Sequence, residues 1–243
     1  MLRFKTFIAE AAKSPKKPKM SWTEKLVKQV KGIATKSKKE GAEEHKKKEK
    51  PIVTPGATVL VFGRMGPVTR GHEAVIDQAK KQAAKIGAKL KVVISHSTGT
   101  EHDPFDPEVK MRHIKRAFPD VDIELAGKDH PSLMHQVKKA YDDGTRDLTI
   151  IGGGDRAKHY QKLITNYNRT PAGGYNFKNI KVVSAGKRGP GIISATDQRT
   201  HALAGDFESF KAGLPSTIAS NVDHAKELFT DTKKAMKKVT KKK

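Results

Sequence analysis

The segment Gly63-Arg64-Met65-Gly66-Pro67-Val68-Thr69-Arg70-Gly71-His72 gathers residue types that handle anions. Its glycines let backbone N–H groups come close to a bound group. Thr69 brings a hydroxyl, His72 an imidazole N–H, and Arg64 and Arg70 bring positive charge. His72 falls at the predicted start of a helix, where unpaired N–H groups and the dipole favour negative charge. The segment is therefore suited to phosphate. It is neither of the two common phosphate loops: G-x-G-x-x-G is missing, and Gly66 and Gly71 have P-loop spacing but are followed by His72-Glu73 instead of Lys-Ser/Thr. Nor is His72-Glu73 a zinc-protease motif, because position 76 is Ile. A second glycine cluster, Gly152-Gly153-Gly154-Asp155-Arg156, offers close backbone access to a base or ribose, with Asp155 as a candidate cap of the next helix.

The elements that must position these residues alternate regularly. Ala57–Phe62 is a continuous apolar run after Pro55-Gly56, as a parallel strand buried on both faces requires. Residues 72–86 carry Val75, Ile76, Ala79, Ala83 and Ile86 at helical spacing and stop at Gly87. Strands are predicted over 89–95, 121–125, 147–151 and 180–184, with helices over 107–118, 132–141 and about 155–166 between them. The order β-α-β-α-β-α-β-α-β implies parallel pairing and right-handed crossovers, hence an α/β, Rossmann-like open sheet of five parallel strands. In such a sheet ligands bind beyond the carboxyl ends of the strands, where the strand order reverses. Both glycine clusters follow strands, so both are predicted at that edge.

Composition adds exclusions and a division of the chain. Among 243 residues there is no cysteine, so disulfides, thiolate zinc sites and a thiol nucleophile are excluded. No stretch approaches 18 consecutive apolar residues, and the N-terminus lacks the apolar core of a secretory signal. A soluble protein of the cytoplasm is the expectation. The net charge of +23 favours phosphate-bearing partners. Residues 1–50 carry +10 of it and residues 223–243 another +5, so most of the excess lies in the ends. Residues 1–51 read as a lysine-rich, mostly disordered extension with one short amphipathic stretch at Trp22, Leu26, Val27 and Val30. Residues 52–215 read as the folded domain, and 216–243 as a C-terminal helix and lysine-rich tail.

The loop after the first strand resembles the signature of the nucleotidyltransferase superfamily: an apolar strand, G-x-x-x-P, then [HT]-x-G-H at a helix start. It stands here as Gly63, Pro67 and Thr69-Arg70-Gly71-His72. The threonine form is similar to phosphopantetheine adenylyltransferases, and the Gly-Arg opening to nicotinamide-nucleotide adenylyltransferases. A second signature, I-S-x-T-x-x-R at the helix start after the fifth strand, is matched by Ile193-Ser194-Ala195-Thr196-Asp197-Gln198-Arg199. The resemblance covers about residues 56–215. Gly205–Phe210 through Leu214-Pro215 resembles the version found in proteins of tailed phages, and residues 4–11 resemble the start of their capsid-targeting peptides, which are cleaved.

The resemblance implies a HUP-type nucleotidyltransferase fold and transfer of AMP or CMP from ATP or CTP to a phosphate- or hydroxyl-bearing small molecule, releasing pyrophosphate. It implies that His72, with Thr69, stabilises the α-phosphate and leaving group. Ser194 and Thr196 are then expected on the β- and γ-phosphates, with Arg199 as a charge clamp. Gly152-Gly153-Gly154-Asp155 resembles the family's G-[SAG]-D segment against the nucleotide. Gly63, Arg64, Gly71 and Arg70 are further candidates around the phosphates, and Lys110 stands where relatives often place a phosphate-binding cation. Mg²⁺ is expected with the triphosphate, with no protein ligand assigned.

Other readings stand beside these. Ser194 serves equally as a plain N-cap. Asp103, Asp106 and Glu108 lack calcium-loop spacing because of Pro104 and Pro107, and read as turn and cap residues. His96, His102, His113, His130 and His135 form no ligand spacing. Tyr175 and Phe177 either shape the acceptor pocket or anchor a loop. The lysine-rich ends admit a different class: a catalytically silent nucleotide-binding fold in a nucleic-acid-associated or virion-packaged protein, binding DNA or RNA by counterion release. A solubilising tail and a mitochondrial-type presequence remain open for the N-terminus.

Overall fold

In a computed structural model, residues 54–186, 189 and 192–241 are described. The N-terminal extension, its amphipathic stretch and the peptide-like residues 4–11 lie outside the described residues, as do Lys242 and Lys243.

Five strands form the sheet: β1 (Ala57–Gly63), β2 (Lys89–Ile94), β3 (Ile123–Leu125), β4 (Asp147–Gly152) and β5 (Asn179–Ser184). Their order is β3-β2-β1-β4-β5 and every pairing is parallel. The chain thus runs outward from β1 through β2 to β3, then returns to β1's other side at β4. The strand order reverses between β1 and β4, the place where a ligand crevice is expected. The α/β, Rossmann-like expectation is met, with elements within two residues of their predicted bounds. β3 is shorter than expected because Val121 is spent on a turn, its N–H donating to Phe118 O.

Helices α1 (Arg70–Ile86), α2 (Pro107–Ala117), α3 (Leu133–Asp142) and α4 (Gly154–Tyr167) connect the strands, and α5 (Ala195–Ala204), α6 (Phe207–Ala212), α7 (Ser216–Ala219) and α8 (Val222–Thr240) follow β5. Both faces of the sheet are covered, which explains the continuous apolar run of β1. Val59 and Val61 join Ile76, Ile94, Ile114 and Leu228 on one side. Leu60 joins Val93, Ile150, Ile164 and Phe177 on the other. Tyr175 and Phe177 are buried in that second cluster, and Tyr175 Oη donates to Ile164 O at 3.1 Å, so they anchor the loop before β5.

Residues beyond 215 enter the first cluster as well. Ile218, Ala225 and Leu228 are buried there, at helical spacing along α7 and α8. The lysines of α8 occupy its other face. Against α2, Arg112 pairs with Asp231 at 2.7 Å, Arg116 pairs with Glu227, and His113 Nε2 lies 2.9 Å from Asp231. No helix among the described residues is long and apolar enough to cross a membrane.

Candidate functional site

A cleft of about 360 Å³ opens at the carboxyl ends of β1 and β4. Its walls come from every segment singled out in the sequence: Gly63, Arg64, Thr69, Gly71 and His72; Gly152 and Gly153; and Ser194, Thr196 and Arg199. Two helix N-termini, those of α1 and α5, therefore face one cavity.

Thr69 is the N-cap of α1 and His72 its third residue, in a capping-box arrangement where histidine takes the usual glutamate's place. The Thr69 backbone N–H donates to His72 Nδ1 at 3.0 Å. A backbone N–H can only donate, so Nδ1 is the acceptor and the neutral ring carries its proton on Nε2. Thr69 itself is buried, its Oγ1 3.1 Å from the same nitrogen. The cap thus fixes the tautomer of the imidazole as well as its place.

At α5 the cap is reciprocal. Asp197 N–H donates to Ser194 Oγ at 3.1 Å, while Ser194 N–H and Oγ donate to Asp197 Oδ2 at 3.0 and 2.7 Å. The Ser194 hydroxyl is thus engaged in capping, and what that turn offers an anion is its backbone amides and the Thr196 hydroxyl. Arg199, 6% exposed, ties the two motifs together: Nη1 donates to Gly66 O at 2.9 Å and Nη2 to Thr196 Oγ1 at 3.0 Å. These partners lie 133 residues apart in one case and three in the other. Burial lowers the Arg199 pKa from its ordinary value, and the charge of Arg64 adds to that; Asp103 and Asp197 oppose it.

Lys110 is not brought to the cleft. Its ammonium is buried and donates to Ser95 O at 3.1 Å, Ser97 O at 2.8 Å and Asp103 Oδ2 at 2.7 Å. All three donors are used inside the protein, so none is left for phosphate. Arg70 is exposed and is absent from the cleft wall; its backbone N–H donates to Gly213 O at 2.9 Å. Asp155 is in the first turn of α4, with its side chain outside the described residues. Gly153 is the N-cap of α4. A Cβ at Gly152 would sit 3.4 Å from the Tyr160 ring, so that wall is closely packed.

Among the polar side chains of the wall, His102, Arg156 and Tyr160 had no role assigned from sequence. Arg156 and Tyr160 are four apart on α4, so they share a helix face with the glycine turn. That spacing was a usable signal. Asp103 was read as a turn residue; its backbone does close a turn with Thr100, but its side chain is buried in an ion pair with Lys110. Asp106 is the N-cap of α2 and Glu108 lies in its first turn, as predicted.

No Asp or Glu lines the cleft among the described residues. Magnesium is usually held by carboxylates together with substrate phosphates. The described side chains of the wall thus offer a metal no carboxylate, the side chain of Asp155 between Gly154 and Arg156 lying outside the described residues. Elsewhere, His113, Glu227 and Asp231 lie within ligand distance of one another, but the two carboxylates are paired with Arg112 and Arg116.

Neither a protein-family model nor a curated protein matches the chain. Among solved structures, the bifunctional NMN adenylyltransferase/ADP ribose pyrophosphatase of Francisella tularensis is similar, with a TM-score of 0.51 and 15% identity over 74% of this chain and 52% of that one. The same Francisella protein complexed with AMP and a manganese ion gives 0.47 at 16% identity, over 74% and 51%. TmcAL of Thermotoga maritima bound with alpha-thio ATP gives 0.47 at 11% identity, over 70% and 56%. The chain spans about half the length of these proteins. What the first of them shows for this chain is the fold alone, an α/β Rossmann-like parallel sheet with flanking helices.

Proposed function

We propose that the cleft binds a nucleoside triphosphate, ATP or CTP, and transfers its nucleotidyl group to a phosphate- or hydroxyl-bearing small molecule. The observation that carries this reading is the convergence of two helix N-termini, with His72, Arg64, Thr196 and Arg199, on one cavity whose described walls hold no carboxylate. Such a wall suits a highly charged anion.

An acceptor oxygen attacks the α-phosphorus in line, the bond to the bridging oxygen of the β-phosphate breaks, and pyrophosphate leaves. Chemistry of this kind needs placement and charge neutralisation more than covalent help. His72 donates from Nε2 to the α-phosphate oxygen, held in that tautomer by the Thr69 N–H. Thr196, the amides of the α5 N-terminus and Arg199 hold the β- and γ-phosphates, and Arg64 neutralises charge at the mouth of β1. Gly63 and Gly71 admit the phosphates to the backbone, and Gly153, with the α4 N-terminus, faces the nucleoside. Mg²⁺ would be held by the triphosphate's own oxygens and would there offset phosphate charge. The lysine-rich ends add non-specific contact with nucleic acid through counterion release.

The test is a pyrophosphate-release screen of the four ribonucleoside triphosphates with Mg²⁺ against nicotinamide mononucleotide, phosphopantetheine and polyol or sugar phosphates. Release with one triphosphate and one acceptor supports the reading. Tight triphosphate binding without release across the panel points to a binding-only protein, and no triphosphate binding rejects the site.

A further inference from the structure

Beside the cleft lies a buried charged group that the proposed reaction does not use. The side chain of Asp103 is 1% exposed and that of Lys110 is 0% exposed. Asp103 Oδ2 accepts from Lys110 Nζ at 2.7 Å, Ser97 Oγ at 2.5 Å and Ser95 Oγ at 3.2 Å. The backbone of Asp103 is pinned too: its N–H donates to Thr100 O and Oγ1, both at 3.1 Å. Lys110 spends its other donors on the carbonyls of Ser95 and Ser97, just past the end of β2. Turn, strand end and helix α2 are thereby locked into one block.

The other carboxylate oxygen shows what the block faces. Asp103 Oδ1 is buried without a hydrogen-bond partner. It lies 2.8 Å from where a Cβ on Gly66 would stand, so it rests against the α-carbon of Gly66. Gly66 is also the residue whose carbonyl accepts from Arg199. One glycine of the β1–α1 loop is thus held by Asp103 at its α-carbon and by Arg199 at its carbonyl.

A buried ion pair is seldom kept for stability alone, because desolvation offsets most of its attraction. Here the surroundings give it a different use. Arg64 acts electrostatically on both Lys110 and Arg199, and Asp103 acts on Arg199 with the opposite sign. Asp103 is a buried negative charge set among three cations that would otherwise repel one another, with Asp197 also acting on Arg199 from the start of its own helix.

We propose that the Asp103–Lys110 pair is the positioning element of the β1–α1 loop. Asp103 fixes Gly66 so that its carbonyl stays on Arg199, and its charge keeps Arg64 and Arg199 together in the empty cleft. Asp103 touches neither substrate nor reacting atoms in this scheme; it acts through Gly66 and Arg199. The inference rests on the proposed function only for the identity of what the loop binds.

The experiment uses the full chain with Asp103→Asn/Lys110→Met, which removes both charges and leaves no unpaired buried ion, and Gly66→Ala, which strikes the same contact from the loop side. Amide hydrogen exchange is read over residues 63–72, with residues 222–240 of α8 as internal reference. The affinity for inorganic tripolyphosphate is measured by calorimetry. Both variants are expected to exchange at least several-fold faster in 63–72 with α8 unchanged. Tripolyphosphate affinity is expected to fall about tenfold, near 1.4 kcal/mol. Loop protection equal to wild type in a folded variant overturns the proposal, and if the double variant does not fold, Gly66→Ala decides it alone. Faster loop exchange in a protein that never binds tripolyphosphate keeps the positioning role and rejects the proposed function; an unresponsive loop in a wild-type protein that binds it does the reverse.

Discussion

Replacing Arg199 by Met tests whether the two motifs grip one polyphosphate. The side chain is 6% exposed and lines the cleft, with two hydrogen bonds going to Gly66 O and Thr196 Oγ1. A guanidinium has five N–H groups, so donors remain for phosphate oxygens beyond those two. Hydrogen bonds to charged groups contribute about 1.5–3 kcal/mol each, which corresponds to roughly a ten- to hundred-fold loss of affinity. The loss should be selective, because Arg199 is assigned to the β- and γ-phosphates. Calorimetric titration with ATP and AMP, and with CTP and CMP, reads this directly without knowledge of the acceptor. Triphosphate affinity is expected to fall ten- to hundred-fold and monophosphate affinity to hold within about twofold, while Arg199→Lys, which keeps charge but loses the planar fork, falls between. Equal weakening of mono- and triphosphate, or no weakening of either, would refute the assignment.

His72→Asn is expected to lower single-turnover pyrophosphate release by about 10²-fold or more while leaving AMP affinity nearly unchanged, as for removal of one donor to a charge-developing oxygen. Gly213→Ala would place a Cβ 2.3 Å from Gln198 Nε2 and 2.8 Å from Ile193 Cβ. A loss of about 1–3 kcal/mol is expected from such overpacking, read as a lower melting temperature. The pH dependence of unfolding should show an early acid limb from His113, whose pKa burial pushes below its ordinary value against the opposing pull of Asp231. The unfolded chain takes up that proton first, so stability falls as pH drops below about 6.5 and flattens at the lower folded value. His113→Gln should remove that limb and leave the later loss, near the carboxylate range, from groups such as Glu227 that Arg116 holds below their ordinary value.

The architecture was legible because strands covered on both faces read as mostly apolar runs, and β1 and β4 show this with only Thr58 and Thr149 breaking their buried stretches. The cleft was legible because its walls are short contiguous segments at strand ends: 63–72, 152–154 and 193–199. The Ser194–Asp197 cap was equally local, an S-x-x-D at a helix start. The Asp103–Lys110 pair was not readable in the same way. Pro104 and Pro107 mark a turn, and a charged pair in a turn reads as solvated. Its burial depends on the β1–α1 loop and the end of β2 closing over it, contacts that no local spacing encodes. Lys110 accordingly looked like a phosphate ligand by position when its ammonium is committed inside the fold. The core face of α8 is a parallel case, since Ala225, Leu228, Thr232, Met236 and Val239 recur at helical intervals among lysines that dominate its composition.

Positive helix ends and three arginines, Arg64, Arg156 and Arg199, facing one cavity repel each other until an anion arrives, so the fold must hold them from behind. It does so through the segment that follows the second signature. The Arg70 N–H at the start of α1 donates to Gly213 O, and Gln198 Nε2 on α5 donates to Phe210 O at 2.8 Å while packing against Gly213. One turn between α6 and α7 therefore touches both α1 and α5. Glu73 of α1 accepts from the Ser216 N–H at 3.1 Å, and Thr217 Oγ1 donates to Ala117 O at 2.7 Å, fastening that turn to α1 and α2. Residues 210–217 thus tie the starts of α1 and α5 and the end of α2 to one turn. Under the proposed function this rear support aids binding alongside the motif residues, because charges held together in advance need no rearrangement when an anion enters.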